Sequence, residues 1–299
     1  MVQLRYRYRI YPTPGQQNRL AQAFGCARVV FNDCLRARQV AHESGVKLSD
    51  TDVQKLVVTE AKKTPQRVWL GDVASVVLVQ VCQDARRAYR NWFDSMSGKR
   101  KGRKIGAPRF RSRKDTRQSI RLTRNGFSVR SNRKLYVAKV GELTVAWSRE
   151  LPAVPSSVTV IKDSAGRYFA SFVVETNDEA LPPIADEVGI DLGLSSFAVL
   201  SDGRVIGAPK FLRRAERKLR KAQQDLSRKQ KGSSNRAKAR LRVAKVHARV
   251  ADSRRDWAHK ESTTIVRENQ AVFVEDLCVT GLARTRLAQS VHDAGWSQF

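Results

Sequence analysis

Two acidic positions lie at the ends of apolar runs in the C-terminal part of the sequence. Asp191 follows the apolar run 188–190, and Glu275, with Asp276 beside it, follows 272–274. Short apolar runs of this kind predict buried strands, each ending in a carboxylate. Two carboxylates held close together repel each other unless a cation compensates them, and Mg²⁺ prefers oxygen ligands. The pair therefore predicts a divalent metal site.

Such a site supports phosphodiester cleavage. In two-metal cleavage one ion activates water and the other stabilises the leaving oxygen, with the ions about 3.5–4 Å apart. Gly193, two residues after Asp191, permits a close backbone approach or a bulge there. Asp191 alone is more typical of an ordinary strand-end or turn aspartate than of a catalytic residue. The metal-site hypothesis rests on both acids together and on the basic helices between them.

The positive charge is concentrated in two blocks. Residues 99–139 hold 16 basic residues and 1 acidic residue, residues 211–255 hold 17 and 3, and together they carry the whole net charge of +29. Dense basic blocks of this kind predict surfaces that bind along the phosphate backbone of a nucleic acid. Such binding weakens as the salt concentration rises. A solvated helix face is the alternative for 211–255. The predicted nucleic-acid contacts are Arg103, Lys104, Arg109, Arg111, Arg113, Lys114, Arg213, Arg214, Arg217, Lys218, Arg228 and Lys229.

Other classes of function lack their sequence signals. The N-terminus has no apolar run typical of a secretory signal, and the apolar stretch 73–81 is far too short to span a membrane. A cytoplasmic protein, nucleoid-associated when bound to DNA, is predicted. The cysteines fit neither a disulfide framework nor a zinc knuckle, so we expect core residues and no zinc. The histidines, His42, His247, His259 and His292, show no metal-ligand spacing and are interpreted as structural or surface residues.

The elements that must position these residues begin with a strand and a helical stretch. Alternation over 3–11 predicts a strand, Thr13 to Gln16 form a predicted capping box, and helical patterns continue to residue 97. Six short strand-like runs between 118 and 175 predict antiparallel structure, plausibly a barrel. The first strand should pair with these later strands, which makes the helices an insertion. The aromatic residues Tyr6, Tyr8, Trp92, Trp147 and Trp257 could stack on bases, but aromatic residues at periodic positions are more typical of a core, and no role is assigned to them.

A second domain is predicted to start near residue 184, after a linker at 181–183. It opens with strands that contain Asp191, and a basic helical hairpin follows. The predicted apolar stripe of that hairpin is Leu212, Ala215, Leu219, Ala222 and Leu226, then Ala237, Leu241, Ala244, Ala248 and Ala251. The run 271–277 predicts a buried central strand. The fold class is therefore α+β with more than one domain.

Four motifs carry a resemblance to a known family: YRIYPTPGQQNRL, GAPRF, VGIDLGLSSFAVLSDG and VFVEDLCVTGLAR. Across essentially its whole length the chain resembles the TnpB/OrfB proteins of insertion sequences, long labelled transposases. The resemblance implies an RNA-guided DNA endonuclease whose partners are DNA and a guide RNA. It also implies a β-barrel wedge domain (1–12 and 98–182), a helical, helix-turn-helix-like recognition insert (13–97) and a RuvC-type, RNase H-like nuclease domain (183–299).

Carried over by motif, Asp191 would be the first nuclease carboxylate and Glu275 the second, both Mg²⁺ ligands, with Asp276 the weaker candidate. The family pattern continues with two zinc-binding cysteine pairs and a third catalytic aspartate, and this sequence ends at Phe299 before both. The resemblance thus implies an incomplete nuclease domain.

Three hypotheses stay open at this point. The first is a nuclease that uses Asp191 and Glu275. The second is a truncated protein that binds RNA or DNA without cleavage, as a regulator or a decayed element. The third takes DLGLSS as the phosphate loop of an actin-like ATPase, against which the +29 charge and the missing second nucleotide-binding lobe argue. The sequence leaves the oligomeric state undetermined.

Overall fold

The computed structural model describes residues 1–177 and 182–299. The chain divides into two compact units, residues 1–178 and 179–299, and each has its own hydrophobic core. Of the linker predicted at 181–183, Leu181 lies outside the described residues. None of the helices in the described ranges is long and apolar enough to cross a membrane.

The first unit contains a seven-stranded antiparallel sheet. Its strands β1 to β7 are, in chain order, Val2–Tyr11, Gln118–Thr123, Phe127–Val129, Leu135–Val137, Gly141–Ala146, Ser157–Lys162 and Tyr168–Thr176. Their order in the sheet is β2-β6-β7-β1-β5-β4-β3. Strand β1 pairs with β7 on one side and β5 on the other, which confirms that the first strand finds its partners late in the chain.

The two edges of this sheet are joined by a very short connection. Strands β2 and β3 lie at opposite edges, yet only the 3-10 turn Arg124–Gly126 separates them in sequence. Four residue steps span at most about 14 Å. The sheet must therefore curl until its edges meet, and the result is a nearly closed barrel around Tyr8, Leu122 and Phe172.

The seam of the barrel packs tightly at Gly126. A Cβ atom added there would lie 2.5 Å from Val76 Cγ1 and 3.1 Å from Leu122 Cδ2. We expect Gly126→Ala to destabilise the first unit by about 1–3 kcal/mol, because a methyl group in a filled core forces its neighbours apart. Gly106→Ala is the matched control, since nothing lies within 4 Å of its added Cβ. Urea denaturation measures both, and equal midpoints for the two variants would contradict the prediction.

Three helices lie between β1 and β2. They are α1 (Pro14–Glu43), α2 (Asp50–Gln54) and α3 (Ser75–Met96), with a π-helical stretch Lys55–Glu60 and 3-10 turns Ala61–Lys63 and Val68–Asp72. The capping box is confirmed, because Gln16 N donates to Thr13 Oγ1 at 3.4 Å and Thr13 N donates to Gln16 Oε1 at 3.0 Å. Residues 53–61, part of the helical pattern predicted up to residue 97, are mostly π-helical, and Val53, Val57 and Val58 are buried there.

Three of the four cysteines occupy the core of the first unit. Cys34 Sγ on α1 lies 3.7 Å from Cys82 Sγ on α3, and both side chains are buried. Burial raises the pKa of the Cys26 thiol to about 11. The prediction of core cysteines is thus confirmed for these three and wrong for Cys278, which is exposed.

The second unit contains a four-stranded sheet and four helices in residues 182–299. The elements are β8 (Glu187–Leu192), β9 (Ser196–Leu200), β10 (Val205–Gly207), α4 (Phe211–Ser227), α5 (Ser234–Glu268), β11 (Ala271–Val274), α6 (Val279–Leu282), α7 (Ala288–Ala294) and a final 3-10 turn Trp296–Gln298. The sheet order is β10-β9-β8-β11. Strands β8 and β11 are parallel, and the other pairs are antiparallel.

The prediction of a buried central strand at 271–277 is wrong. Within the described residues β11 lies at the edge of the sheet, and Phe273 and Val274 are 60% and 53% exposed. Strand β11 has a hydrogen-bonded neighbour on one side, β8, and the described elements leave most of its side chains uncovered. An apolar run is compatible with either position because its composition does not report what packs against it.

The basic hairpin forms as α4 and α5, but its second apolar stripe is misplaced in the prediction. The buried residues of α5 are Ala239, Val246, Val250, Ala258 and Ile265, whereas Leu241 of the predicted stripe is 37% exposed. The predicted stripe consisted mostly of alanines. Valine and isoleucine bury more apolar area than alanine, so their positions decide which face of the helix turns inward.

Candidate functional site

The two predicted carboxylates each follow directly after a residue of the same parallel strand pair. Val274 of β11 pairs with Ile190 of parallel β8, so the next position along both strands holds Glu275 and Asp191. Side chains at matched positions of neighbouring strands lie on the same face of a sheet. The expected pairing of the two strands is confirmed, and the meeting of the two carboxylates stays a prediction.

The backbone around Asp191 is held tightly. Asp191 pairs with Val199 of β9, and Gly193 N donates to Phe197 O at 3.2 Å. A Cβ atom added to Gly193 would lie 3.0 Å from the Ser196 carbonyl oxygen. Only glycine allows this approach without a shift, which confirms the close approach expected after Asp191.

The surroundings of the two carboxylates are open. Asp191 and Glu275 are exposed, and in residues 1–177 and 182–299 no group of three or more His, Cys, Asp or Glu side chains is placed to hold a metal ion. Asp276 is also exposed and follows Glu275 in a non-helical segment. Mg²⁺ commonly uses one or two protein carboxylates and completes its shell with water and phosphate oxygens. Asp191 and Glu275 fit that mode of binding, and their roles stay predictions.

The first part of the first basic block, residues 99–117, follows α3 without a helix or a strand. Its predicted contact residues are exposed except Arg111, namely Arg103, Lys104, Arg109, Arg113 and Lys114. The Arg111 guanidinium lies 3.7 Å from the centroid of the Phe31 ring, and Arg111 N donates to Asn32 Oδ1 at 2.8 Å. Burial lowers the pKa of this guanidinium. Arg111 thus anchors the segment to α1.

The predicted contact residues of the second basic block lie on α4 and in the turn after it. Arg213, Arg214, Arg217 and Lys218 on α4 are exposed, as are Arg228 and Lys229 beyond its end. Between α4 and α5 runs a groove of about 620 Å³. Its apolar residues are Phe211, Ala215, Ala222, Val246 and Val250, and basic residues line it as well, namely Arg214, Lys218, Lys221, Arg242, Lys245 and Arg249. This arrangement presents a row of cations to a polyanion.

A buried aspartate that the sequence reasoning missed holds the start of α4. Leu212 N and Arg213 N donate to the Asp293 carboxylate at 2.8 and 3.2 Å, and Arg254 Nη2 of α5 donates to it at 3.3 Å. Asp293 on α7 is only 7% exposed. It supplies the N-terminal cap that the residue before the helix, Lys210, does not provide. No local signal could have revealed a cap about 80 residues away.

Four of the five aromatic residues lie in or against one of the two hydrophobic cores. Tyr8 lies in the first core, Tyr6 and Trp147 pack against it, and Trp257 packs against the second core, as expected. Trp92 lies outside both described core clusters, so its interpretation as a core residue is wrong. All four histidines are exposed.

Two family models match the chain. Residues 171–286 match OrfB_IS605, described as "Probable transposase", and residues 1–47 match HTH_OrfB_IS605, described as "Helix-turn-helix domain". The second segment spans β1, α1 and the turn after α1. Together the matches define a transposase-related protein of the insertion-sequence type.

Curated relatives narrow the assignment. A Streptomyces pristinaespiralis protein named "Putative RNA-guided DNA endonuclease" is 42% identical over 99% of this chain and 73% of its own length. The Escherichia coli K12 protein "Putative RNA-guided DNA endonuclease InsQ" is 28% identical over 97% of this chain and 74% of its own length. The chain belongs to the TnpB/OrfB family.

The chain also matches a solved structure. A "Cryo-EM structure of CRISPR-Cas12f Ternary Complex" is 11% identical, with 93% of this chain and 68% of that chain covered and a TM-score of 0.31.

Proposed function

We propose that this chain is an RNA-guided DNA-binding protein with a Mg²⁺-dependent DNA endonuclease site at the C-terminal ends of β8 and β11. The observation that supports the proposal is the parallel pairing of β8 with β11, whose printed register ends at Ile190 and Val274, the residues directly before Asp191 and Glu275. The barrel then corresponds to the wedge domain (1–12 and 98–182), the helices to the recognition insert (13–97) and the second unit to a RuvC-like domain (183–299).

Each part of the proposed site has a defined task. Asp191 and Glu275 would hold Mg²⁺, and the pairing of β8 with β9 and β11 fixes the backbone that carries them. A bound metal ion polarises the phosphodiester group and lowers the pKa of its bound water. The exposed cations of α4 and of the segment after α3 would hold the phosphates of the strands.

The proposed partners follow from the relatives' names and from the charge. The two curated relatives are named RNA-guided DNA endonucleases, and the basic blocks suit a guide RNA paired with DNA. Proteins recognise such a heteroduplex through its backbone and shape rather than its sequence. DNA and guide RNA are therefore the proposed partners of this chain, in the cytoplasm or on the nucleoid.

A second candidate is a protein that binds guide RNA and DNA without cutting. It is favoured by the absence of a three-ligand metal group within the described residues. Both candidates use the same basic surfaces, so binding alone does not separate them.

The test compares matched and mismatched DNA in the presence of the chain and an RNA from its own locus. We expect the complex to retain matched DNA more tightly and to cut it only when Mg²⁺ is present. Matched binding without cutting supports the second candidate. Equal retention of matched and mismatched DNA would overturn guided recognition.

The basic face of α4 makes a separate quantitative prediction. Arg214→Gln, Arg217→Gln and Lys218→Gln together should weaken duplex binding and flatten its salt dependence. Each lost phosphate contact makes the slope of log affinity against log salt less negative by about 0.9, so up to about 2.7 for three contacts. Fluorescence anisotropy at several salt concentrations measures the slope.

The control for that triple variant removes the same charge elsewhere. Lys47, Lys55 and Lys63 are exposed and lie outside both basic blocks, so their replacement by glutamine should leave the slope nearly unchanged. If both triple variants changed the slope equally, net charge rather than the α4 face would govern binding.

A further inference from the structure

A stacked aromatic group lies at the C-terminal end of α3. The ring centroids of Trp92 and Phe93 are 4.8 Å apart with an interplanar angle of 29°, and those of Tyr89 and Phe93 are 6.2 Å apart at 30°. Phe93 is 54% exposed, and neither Phe93 nor Trp92 belongs to the described core of the first unit. Large aromatic rings that are stacked and still open to solvent offer flat surfaces to another planar group.

These rings line a cleft between α1 and α3. The cleft has a volume of about 420 Å³ and is bordered by Arg38 and His42 of α1, by the three aromatic side chains and by Pro108. The Arg38 guanidinium carbon lies 5.3 Å from the centroid of the Tyr89 ring and pairs with Asp50. Clefts of this size accommodate small organic groups.

A basic loop is fastened beside the rings. Residues 99–104 contain five basic residues and no acidic one, and all are exposed. Arg100 N donates to Asp94 O at 3.0 Å, and Ile105 N donates to Ser95 Oγ at 2.9 Å. Both acceptors follow Phe93 directly on α3, so the two bonds hold the loop next to the aromatic group.

We propose that this cleft binds an unpaired nucleobase of single-stranded nucleic acid, which stacks on Trp92 and Phe93 while the 99–104 loop contacts the flanking phosphates. Sites for single strands combine aromatic stacking surfaces with a positive groove for the backbone. The inference rests on the proposed function, since it names where that function would receive an unpaired base. A protein partner would account for the apolar rings but leaves the five adjacent cations without a role.

The test separates stacking from charge. Anisotropy titrations compare oligothymidine of about 12 nucleotides, a length in the range that single-strand sites occupy, with an abasic strand of the same backbone. Wild type should prefer the base-bearing strand by about fivefold to 150-fold per stacked base. Trp92→Ala and Phe93→Leu should lose most of that preference and keep the affinity for the abasic strand. Phe93→Leu is the sharper variant because leucine keeps the apolar bulk and removes the ring.

Matched variants guard against a merely structural effect. Met96 is 68% exposed on the last turn of α3, so Met96→Ala should bind both strands as wild type does. Trp92→Phe retains a ring and should retain much of the preference. An oligouridine arm identifies the source: a larger stacking effect with uridine points to the guide RNA, and a larger effect with thymidine points to a DNA strand.

Equal binding of base-bearing and abasic strands by wild type would overturn the inference and leave the proposed function standing, provided that matched DNA is still retained. The same holds if Phe93→Leu and Trp92→Ala keep the full preference. Failure of wild type to bind any strand or duplex would overturn the proposed function itself.

Discussion

Replacement of Asp191 by asparagine is expected to reduce Mg²⁺-dependent cutting of guide-matched DNA by about a thousandfold and to leave guide RNA binding unchanged. Metal-ion catalysis supplies several kcal/mol of transition-state stabilisation, and each 1.36 kcal/mol is a factor of ten in rate. Asparagine keeps the size of the side chain and removes the charge that holds the ion. Glu275→Gln should have a similar effect because Glu275 follows Val274, the partner of Ile190, as Asp191 follows Ile190.

The control is Asp276→Asn, since extending the same register places Asp276 beside Leu192 of β8 and not beside a carboxylate. It should cut within a few-fold of wild type. Titration with Mn²⁺ gives a second readout that does not depend on cutting: Asp191→Asn should bind the ion more weakly, and Asp276→Asn should not. Cutting that survives in Asp191→Asn at the wild-type rate would remove Asp191 from the proposed site.

Replacement of Asp293 by alanine is expected to destabilise the second unit by about 3–5 kcal/mol, the usual cost of removing one partner of a buried ion pair. The change leaves the Arg254 charge buried without its partner and uncaps two backbone N–H groups at the start of α4. Hydrogen exchange followed peptide by peptide should show lost protection over Phe211–Ser227.

An exposed ion pair on α5 provides the comparison for Asp293. Asp256 pairs with Lys260 at 2.8 Å with both side chains more than 60% exposed, so Asp256→Ala should change stability by less than about 1 kcal/mol. Arg254→Met combined with Asp293→Ala should be less destabilising than Asp293→Ala alone, because the stranded charge is gone. Unchanged protection of α4 in Asp293→Ala would show that the cap contributes little.

Sequence patterns predicted the structure correctly where a feature depends on residues that are close together in the chain. The capping box at Thr13 and Gln16 depends on residues three apart, and the alternation in β1 depends on neighbours two apart. The strand-end position of Asp191 and Glu275 was also readable, because apolar runs mark the strands that carry them. The parallel pairing of β8 with β11 is confirmed, and the adjacency and catalytic roles of the two acids stay predictions.

Features that depend on residues far apart in the chain could not be predicted from the sequence. The apolar run of β11 is compatible with a central strand and with an edge strand. Nothing in the sequence therefore indicated that Phe273 is exposed. Cys34 meets Cys82 only because α1 packs on α3, and Asp293 caps a helix about 80 residues before it. Trp92 has helical spacing from core residues of α3. It lies near the C-terminal end of that helix, however, and the core of the first unit does not extend that far.

The pairing of β1 with β7 has a consequence for synthesis on the ribosome. The strand made first must wait for residues 168–176, and at 5–20 residues per second this takes about 8 to 30 seconds. The helices between them form in microseconds, so the nascent chain carries an ordered insert and an unpaired strand. Arg5, Arg7 and Arg9 alternate along β1, and charges in such a strand discourage pairing with other chains. We therefore expect these arginines to protect the nascent polypeptide against aggregation before the barrel has formed.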